Sequence, residues 1–228
     1  MKTLAFASLV SLALCSAACS RASSGTPAPT AAGSTAIPAT GSVTGAAAVG
    51  RPAPDFTLTD LDGHAVTLSS FKGKTIVLEW FNPGCPFVRK SHTVGSLKGD
   101  AARATADGVV WLAINSAGAG KQGAEPEMNR KVAAEYGMTH PILLDPTGAI
   151  GHAYGATNTP NMYVIDPTGT LVYRGAIDNS PDGEGDSPTD GKLVNYVDDA
   201  LAALKAKQPV KVPETKAYGC GVKYGTNS

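Results

Sequence analysis

The sequence predicts a layered α/β domain, and three observations carry that reading. Apolar runs of strand length, Ile76-Val77-Leu78 continuing into Trp80-Phe81 and later Val109 to Ile114, lie between turn-forming residues. Separate stretches open on Pro86 and Pro126, and proline suits the first position of a helix because its missing N–H is not needed there. Ahead of them, two short alternating runs, Phe56 to Thr59 and Ala65 to Leu68, flank Asp62-Gly63, a hairpin signal. Buried strands alternating with helices call for a sheet with parallel crossovers.

The chain begins with a leader. Lys2 followed by the apolar run Leu4 to Ala18 has the charged start, short apolar core and small-residue end of a signal peptide, residues 1–18, and is too short for a permanent membrane span. Ser16-Ala17-Ala18-Cys19 resembles a bacterial lipoprotein cleavage box, in which Cys19 becomes the lipidated first residue and a membrane anchor. The alternative is ordinary cleavage and a soluble product. Either route exports the protein, to the periplasmic side of a bacterial membrane or beyond, into an oxidising compartment. Residues 19–49 are Ala, Thr, Gly, Ser and Pro with almost no charge and read as a disordered tether. Residues 50–207 form the domain and 208–228 a tail. The formal net charge of zero leaves no electrostatic footprint for nucleic acid.

Glu79 to Lys90, EWFNPGCPFVRK, organises the domain. A strand ends at Phe81, Asn82-Pro83-Gly84 breaks it, and Pro86 starts a helix running to about Ala104, which leaves Cys85 as the N-cap. Sulfur there faces unpaired N–H groups and the positive end of the helix dipole, and both favour thiolate over thiol. Arg89 and Lys90 follow, Arg89 four residues on and so on the side of the cysteine. Cations oppose the dipole here, a local cost whose compensation is a more acidic thiol.

Farther on, Ser116 to Gly123 is a glycine-rich loop. The helix from Pro126 puts Met128, Val132 and Tyr136 on one face before Gly137 stops it. Strands at Pro141 to Leu144 and Asn161 to Ile165 each end in Asp-Pro-Thr-Gly, and the second turn leads into Leu171 to Arg174 as a hairpin partner. Asn179 to Gly191 reads as a mobile loop, and Leu193, Val197, Leu201 and Leu204 mark an amphipathic last helix. Pro209 and Pro213 rule out more helix before the tail, which holds Cys220.

The Cys85 turn resembles the active-site turn of the thioredoxin superfamily, in its redoxin branch: the alkyl hydroperoxide reductase and thiol-specific antioxidant group with its exported thioredoxin-like relatives. Over the pattern Trp-Cys-Gly-Pro-Cys, Cys85 falls on the nucleophile and Val88 on the second cysteine, so the usual resolving residue is absent. Over the peroxiredoxin pattern Pro-x-x-x-Thr-x-x-Cys, Cys85 is the peroxidatic cysteine and Asn82 stands at the threonine. Thr159-Pro160 resembles the superfamily's threonine-proline pair, which implies a cis peptide packed beside the nucleophile. Peroxiredoxins carry an arginine in the place of Pro160, and Arg174 lies too far along the next strand to replace it. The tail around Cys220 resembles that of one branch of exported redoxins with a Gly-Cys-Pro-Phe turn. The resemblance spans roughly Pro52 to Tyr224. It implies a thioredoxin-like fold, with a central mixed sheet flanked by helices, an N-terminal hairpin extension and an extended C-terminal tail. It also implies thiol chemistry without a cofactor or metal.

Such chemistry needs an attacking thiolate and a second thiol to release the mixed disulfide. Cys85 supplies the first, and Cys220, flanked by Gly219 and Gly221 with Lys216 and Lys223 nearby, is the candidate for the second. The expected reaction is exchange with protein thiols and disulfides, supported by Pro86, Arg89, Thr159 and Pro160 and sustained by a thiol electron donor. Three alternatives stand beside it. Cys85 as a sulfenic acid makes a peroxidase; a permanent bridge to Cys220 is structural; and two soft sulfurs suit a periplasmic copper- or haem-binding module. Cys85 and His92 are seven residues apart on one helix, roughly 10 Å, too far for a single ion. His64, His140 and His152 read as solvated or packed. Glu79, by its thioredoxin counterpart, is a buried proton acceptor near Cys85, against the simpler reading of a solvated strand-end carboxylate.

Overall fold

The computed structural model describes residues 45–225, so the leader, Cys19 and the tether as far as residue 44 lie outside the described residues. Fifteen segments follow in order. They are β1 (Thr57–Asp60), β2 (Ala65–Thr67), a 3₁₀ turn (Leu68–Phe71), β3 (Ile76–Trp80), α1 (Pro86–Thr93), α2 (Asp100–Ala106), β4 (Val110–Asn115), α3 (Pro126–Glu135), β5 (Ile142–Leu144), α4 (Ala149–Tyr154), β6 (Asn158–Thr159), β7 (Asn161–Ile165), β8 (Leu171–Gly175), α5 (Tyr196–Lys205) and β9 (Cys220–Gly221). Seven strands form one mixed sheet in the order β2-β1-β5-β4-β3-β7-β8. The β3-β4 and β4-β5 pairs are parallel, and the hairpins β1-β2 and β7-β8 and the β1-β5 and β3-β7 pairs are antiparallel. The expected mixed sheet, N-terminal hairpin and extended tail are all present.

Every residue of β3 is buried, because its alternate side chains enter two cores. Ile76, Leu78 and Trp80 join Phe56, Tyr154 and Tyr163 on one face; Val77 meets Trp111, Met162 and Val197 on the other. Trp80 packs edge-on to Tyr163 at 4.9 Å between centroids and sends its indole N–H to Ser116 Oγ at 3.0 Å. The parallel crossovers bring the C-terminal ends of β3 and β4 to one edge, and that edge carries the Cys85 turn. No helix among the described residues is long and apolar enough to cross a membrane.

Several elements differ from the sequence expectation. The helix expected from Pro86 to Ala104 is two, α1 and α2. Beside the break, Gly183 packs so closely that a Cβ on Gly95 would lie 2.3 Å from its carbonyl oxygen. On α3 the buried positions are Asn129 and Val132, while Met128 is exposed; hydrogen bonds to Asn115 Nδ2 and the Gly123 and Glu125 carbonyls draw Asn129 inward. α4, not expected from sequence, runs between Gly148 and Gly155, both at positive φ. α5 begins after Leu193, which is exposed, because Asn195 caps it by accepting the Val197 and Asp198 N–H groups.

The first part of the segment expected to be a mobile loop, Asn179 to Gly185, is packed and hydrogen-bonded, while most of the residues from Asp186 to Gly191 are exposed. Asp178, Asn179 and Ser180 are buried, and Asp182 Oδ1 accepts from the Glu184 and Gly185 N–H groups and from Ser180 Oγ. Partial burial opposes ionisation, but these donors win and hold the Asp182 carboxyl down to about 2. Lys90 adds a 2.7 Å ion pair to Glu184. At the other end, Ala47 is buried and its N–H donates to the Ala153 carbonyl, so packed contacts begin three residues before position 50.

Candidate active site

Cys85 is the N-cap of α1, Pro86 is the first residue of that helix, and the Thr159-Pro160 peptide is cis. The turn before Cys85 is held by Asn82. Its Oδ1 accepts the Gly84 N–H at 2.8 Å, and its Nδ2 donates to the Gln122 carbonyl at 2.9 Å. Gln122 in return donates to the Gly84 carbonyl at 3.2 Å. The glycine-rich loop is thus folded down onto the turn, and Gly123 must be glycine there: its φ is +85°, and a Cβ would meet Asn82 Oδ1 at 2.3 Å. Asn115 and Asn129 both donate to the Gly123 carbonyl and fix the loop from behind. Asn82, Gln122, Asn115 and Asn129 were not singled out from sequence; only Asn82 carried a signal, as the departure from the peroxiredoxin threonine.

The sulfur of Cys85 does not cap the helix as expected. It makes no hydrogen bond to the first-turn N–H groups and donates instead to the Thr159 carbonyl at 3.1 Å. Only 2% of the residue is exposed, and it packs with Phe81, Val88, Ala113, Val132 and Ile142. The tail brings in the second sulfur. β9 pairs antiparallel with β6, setting Cys220 opposite Thr159 and Gly221 opposite Asn158. Cys220 is half-buried against the Cys85 cluster, both cysteines are free thiols, and the Phe87 backbone N–H faces the Cys220 sulfur. Burial pushes the Cys220 thiol up to about 11, helped by its hydrogen bond and electrostatic coupling to Cys85, against the weaker pull of Lys223 and the Phe87 N–H. Lys223 favours the thiolate but is outweighed.

The remaining expected residues are placed as follows. Thr159 is buried; its carbonyl accepts from Cys85 and its backbone pairs with Cys220. Arg89 is exposed on α1; its charge is felt at Tyr136, and it has no ion pair among the described residues. Arg174 binds the Ala47 carbonyl and Glu214. His64 is exposed beside Asp60, and His152 stacks on Tyr224 at 4.0 Å. Asp60, Asp62 and His64 form a partly exposed cluster of potential ligands, but Arg130 already pairs with Asp62. The two sulfurs are the described groups suited to a soft ion such as copper(I).

Glu79 is fully buried and not solvated. Its Oε1 is 2.7 Å from His92 Nε2, and its Oε2 accepts the Trp111 indole N–H at 3.2 Å. Burial would raise the carboxyl; the charge and hydrogen bond of His92, with help from His140 and Trp111, outweigh it and hold Glu79 below the ordinary carboxylate value. His92 stacks on Tyr136 at 5.3 Å and meets Phe81 edge-on. Sequence spacing set His92 aside as a ligand and gave no hint that Glu79 was its partner, since the pair spans two elements.

This geometry matches what comparison with known proteins finds. Residues 48–193 match the Redoxin family. The chain belongs to the redoxin family. The redoxin is 34% identical over 134 residues to the thiol-disulfide oxidoreductase ResA of Geobacillus kaustophilus, covering 55% of this chain and 68% of that one. It is 28% identical to a candidate peroxiredoxin of Mycobacterium tuberculosis, over 64% of this chain and 81% of that one. An uncharacterised conserved protein from Geobacillus kaustophilus superposes with a TM-score of 0.68 at 32% identity, covering 83% of the redoxin and 98% of that structure. The thioredoxin-like fold and the redoxin branch expected from the Cys85 turn are therefore those of the protein.

Proposed function

We propose that this redoxin is an exported thiol-disulfide oxidoreductase in which Cys85 is the nucleophile and Cys220 the resolving thiol. The observation that carries the reading is the meeting of the two sulfurs at Thr159, beside the cis Pro160 and at the start of α1. Position 88, where a second cysteine would stand in the turn, is a buried valine. Cys85 thiolate attacks a substrate protein's disulfide, forming a mixed disulfide and releasing one substrate thiolate. Cys220 gives up its proton and attacks Cys85, which frees the reduced substrate and leaves a Cys85–Cys220 disulfide. An external thiol donor then restores the pair. The protein's resemblance to ResA, named a thiol-disulfide oxidoreductase, supports the reaction class.

The leader supports export, and Cys19 as a lipidated residue, followed by the 19–49 tether, would hold the domain off the membrane surface on the periplasmic side. Peroxide reduction with Cys85 as sulfenic acid is the second reading, favoured by the single cysteine in the turn and by the relative named a candidate peroxiredoxin. Against it, Pro160 stands where an activating arginine would, and Arg174 is engaged by Ala47 and Glu214.

A redox-buffer titration of the mature protein, with the Cys85–Cys220 linkage mapped by mass spectrometry, tests the reading. A midpoint above about −230 mV marks an exchangeable pair; one below about −300 mV marks a structural bridge and overturns the proposal. Peroxide turnover that exceeds that of Cys85→Ser would promote the second reading.

A further inference from the structure

The inference that follows rests on the Cys85 and Cys220 pairing proposed above and concerns which sulfur meets the thiol donor. Cys85 is 2% exposed and lies under the tail, whereas Cys220 is half-buried at the rim of the same cluster. The tail is held down on both sides of Cys220. Asn158 Nδ2 donates to the Gly219 carbonyl at 3.0 Å, the Val222 N–H to the Thr157 carbonyl at 3.1 Å, and the Gly118 N–H to the Lys223 carbonyl at 2.9 Å. Tyr218 donates to Asp178 Oδ1 at 2.7 Å. Tyr224 donates to the Ala156 carbonyl at 2.7 Å and lies so close to Gly148 and Gly151 that a Cβ at either would strike its ring or hydroxyl. Thiol–disulfide exchange requires the attacking thiolate to reach one sulfur directly while the other departs. With the tail seated, an outside thiol cannot approach Cys85 without displacing this set of contacts. Cys220 has solvent on one side, and Lys223 stands near enough to act on its sulfur electrostatically and to attract an incoming thiolate.

We propose that the Cys85–Cys220 disulfide is opened at Cys220, reversing the order in which a thioredoxin-type turn would present its sulfurs. A donor thiolate attacks Cys220 Sγ; the new S–S bond forms there, the Cys85–Cys220 bond breaks, and Cys85 leaves with the electron pair as a thiolate. A second donor thiolate then attacks the donor sulfur of the mixed disulfide. Cys220 leaves, takes up a proton, and the donor departs as its own disulfide. Two donor thiols have given two electrons to the pair, and the tail has stayed seated throughout. Delivery from Cys85 to a substrate disulfide is a separate event that needs the tail lifted. The docked tail therefore serves loading and the lifted tail serves delivery.

The test uses the mature protein, oxidised with diamide, with the Cys85–Cys220 linkage confirmed by mass before any thiol is added. A brief pulse of glutathione is quenched in acid, free thiols are alkylated, and the adduct is mapped. The expected result is about tenfold or more glutathione on Cys220 over Cys85, with the alkyl group on Cys85. Adduct chiefly on Cys85, or shared equally, overturns the proposal while leaving the pairing intact. Failure of the linkage to form overturns the pairing itself, and with it this inference, at a step that precedes the pulse. In Tyr224→Ala, which loosens the tail, the Cys220 preference should fall severalfold; an unchanged preference would show that burial under the tail does not set the site of attack.

Discussion

Cys220 lies directly across the β6-β9 ladder from Thr159, the residue whose carbonyl accepts the Cys85 thiol. That register depends on Gly219, which has φ +110° and so close an approach to Thr159 that a Cβ would sit 2.3 Å from its carbonyl oxygen. Gly219→Ala should therefore strain or unseat the tail at a cost of about 2 kcal/mol. The reduced tail can escape that strain by lifting and the disulfide-linked tail cannot, so for a two-electron couple the Cys85–Cys220 disulfide becomes more oxidising by up to about 40 mV. Redox titration of the variant against the parent checks it, and an unchanged midpoint would mean the tail does not set the potential.

The fold was legible where one physical rule dominates. Continuous apolar runs gave β3 and β4, proline gave the starts of α1 and α3, and Asp62-Gly63 gave the first hairpin. What sequence missed depends on contacts between distant segments. The Gly183 carbonyl packs against Gly95 beside the break after Thr93, and the inward turn of Asn129 comes from Asn115 and Gly123. The site divides in the same way. Cys85, Pro86 and Pro160 followed from the local turn and its family pattern, whereas the side-by-side placement of Cys220 and Thr159 requires a pairing across some sixty residues. Glu79 and His92 meet only because α1 packs back over β3.

His140 is buried beside Trp111, with both ring nitrogens lacking a hydrogen-bond partner; burial, reinforced by the charge of His92, pushes it down from 6.5 to about 4 against the favourable charge of Glu79. The unfolded chain takes up this proton near pH 6.5, and the folded protein resists until about 4. His140 therefore favours folding at neutral pH, and that contribution is lost as pH falls through this window, about 3 kcal/mol in all. His140→Phe should flatten the dependence. Urea midpoints for both proteins at pH 7 and pH 5 measure it; parallel losses would assign the acid sensitivity elsewhere.

The Glu79 and His92 pair makes a second pH statement. Because the fold holds the Glu79 carboxyl below its ordinary value of 4.5, its contribution is present above that pH and lost as pH falls through the lower folded value. Replacing His92 by leucine leaves a buried carboxylate with Trp111 as its one remaining neutral donor, which should cost about 3–5 kcal/mol at pH 7. The double variant Glu79→Gln, His92→Leu removes the stranded charge and should recover a good part of that loss. Chemical denaturation of the two variants decides it: equal instability would show that packing around α1, and not the charge, sets the cost.

Asn129 stands three contacts from the chemistry, yet it holds the loop that holds the turn. Its side chain donates to the Gly123 and Glu125 carbonyls and accepts from Asn115, Gly123 presses on Asn82, and Asn82 shapes the turn that presents Cys85. Asn129→Leu leaves the buried amide of Asn115 short of an acceptor and the Gly123 carbonyl short of a donor, a loss of about 2–3 kcal/mol. A purely structural role would lower stability alone. If the loop positions the turn, the rate of disulfide exchange at Cys85 should also fall, by about tenfold, under conditions where the variant is still folded. Stopped-flow exchange with a small disulfide, run beside circular dichroism at the same temperature, separates the two, and Asn129→Asp, which keeps the acceptor for Asn115, should lose less of the rate than Asn129→Leu.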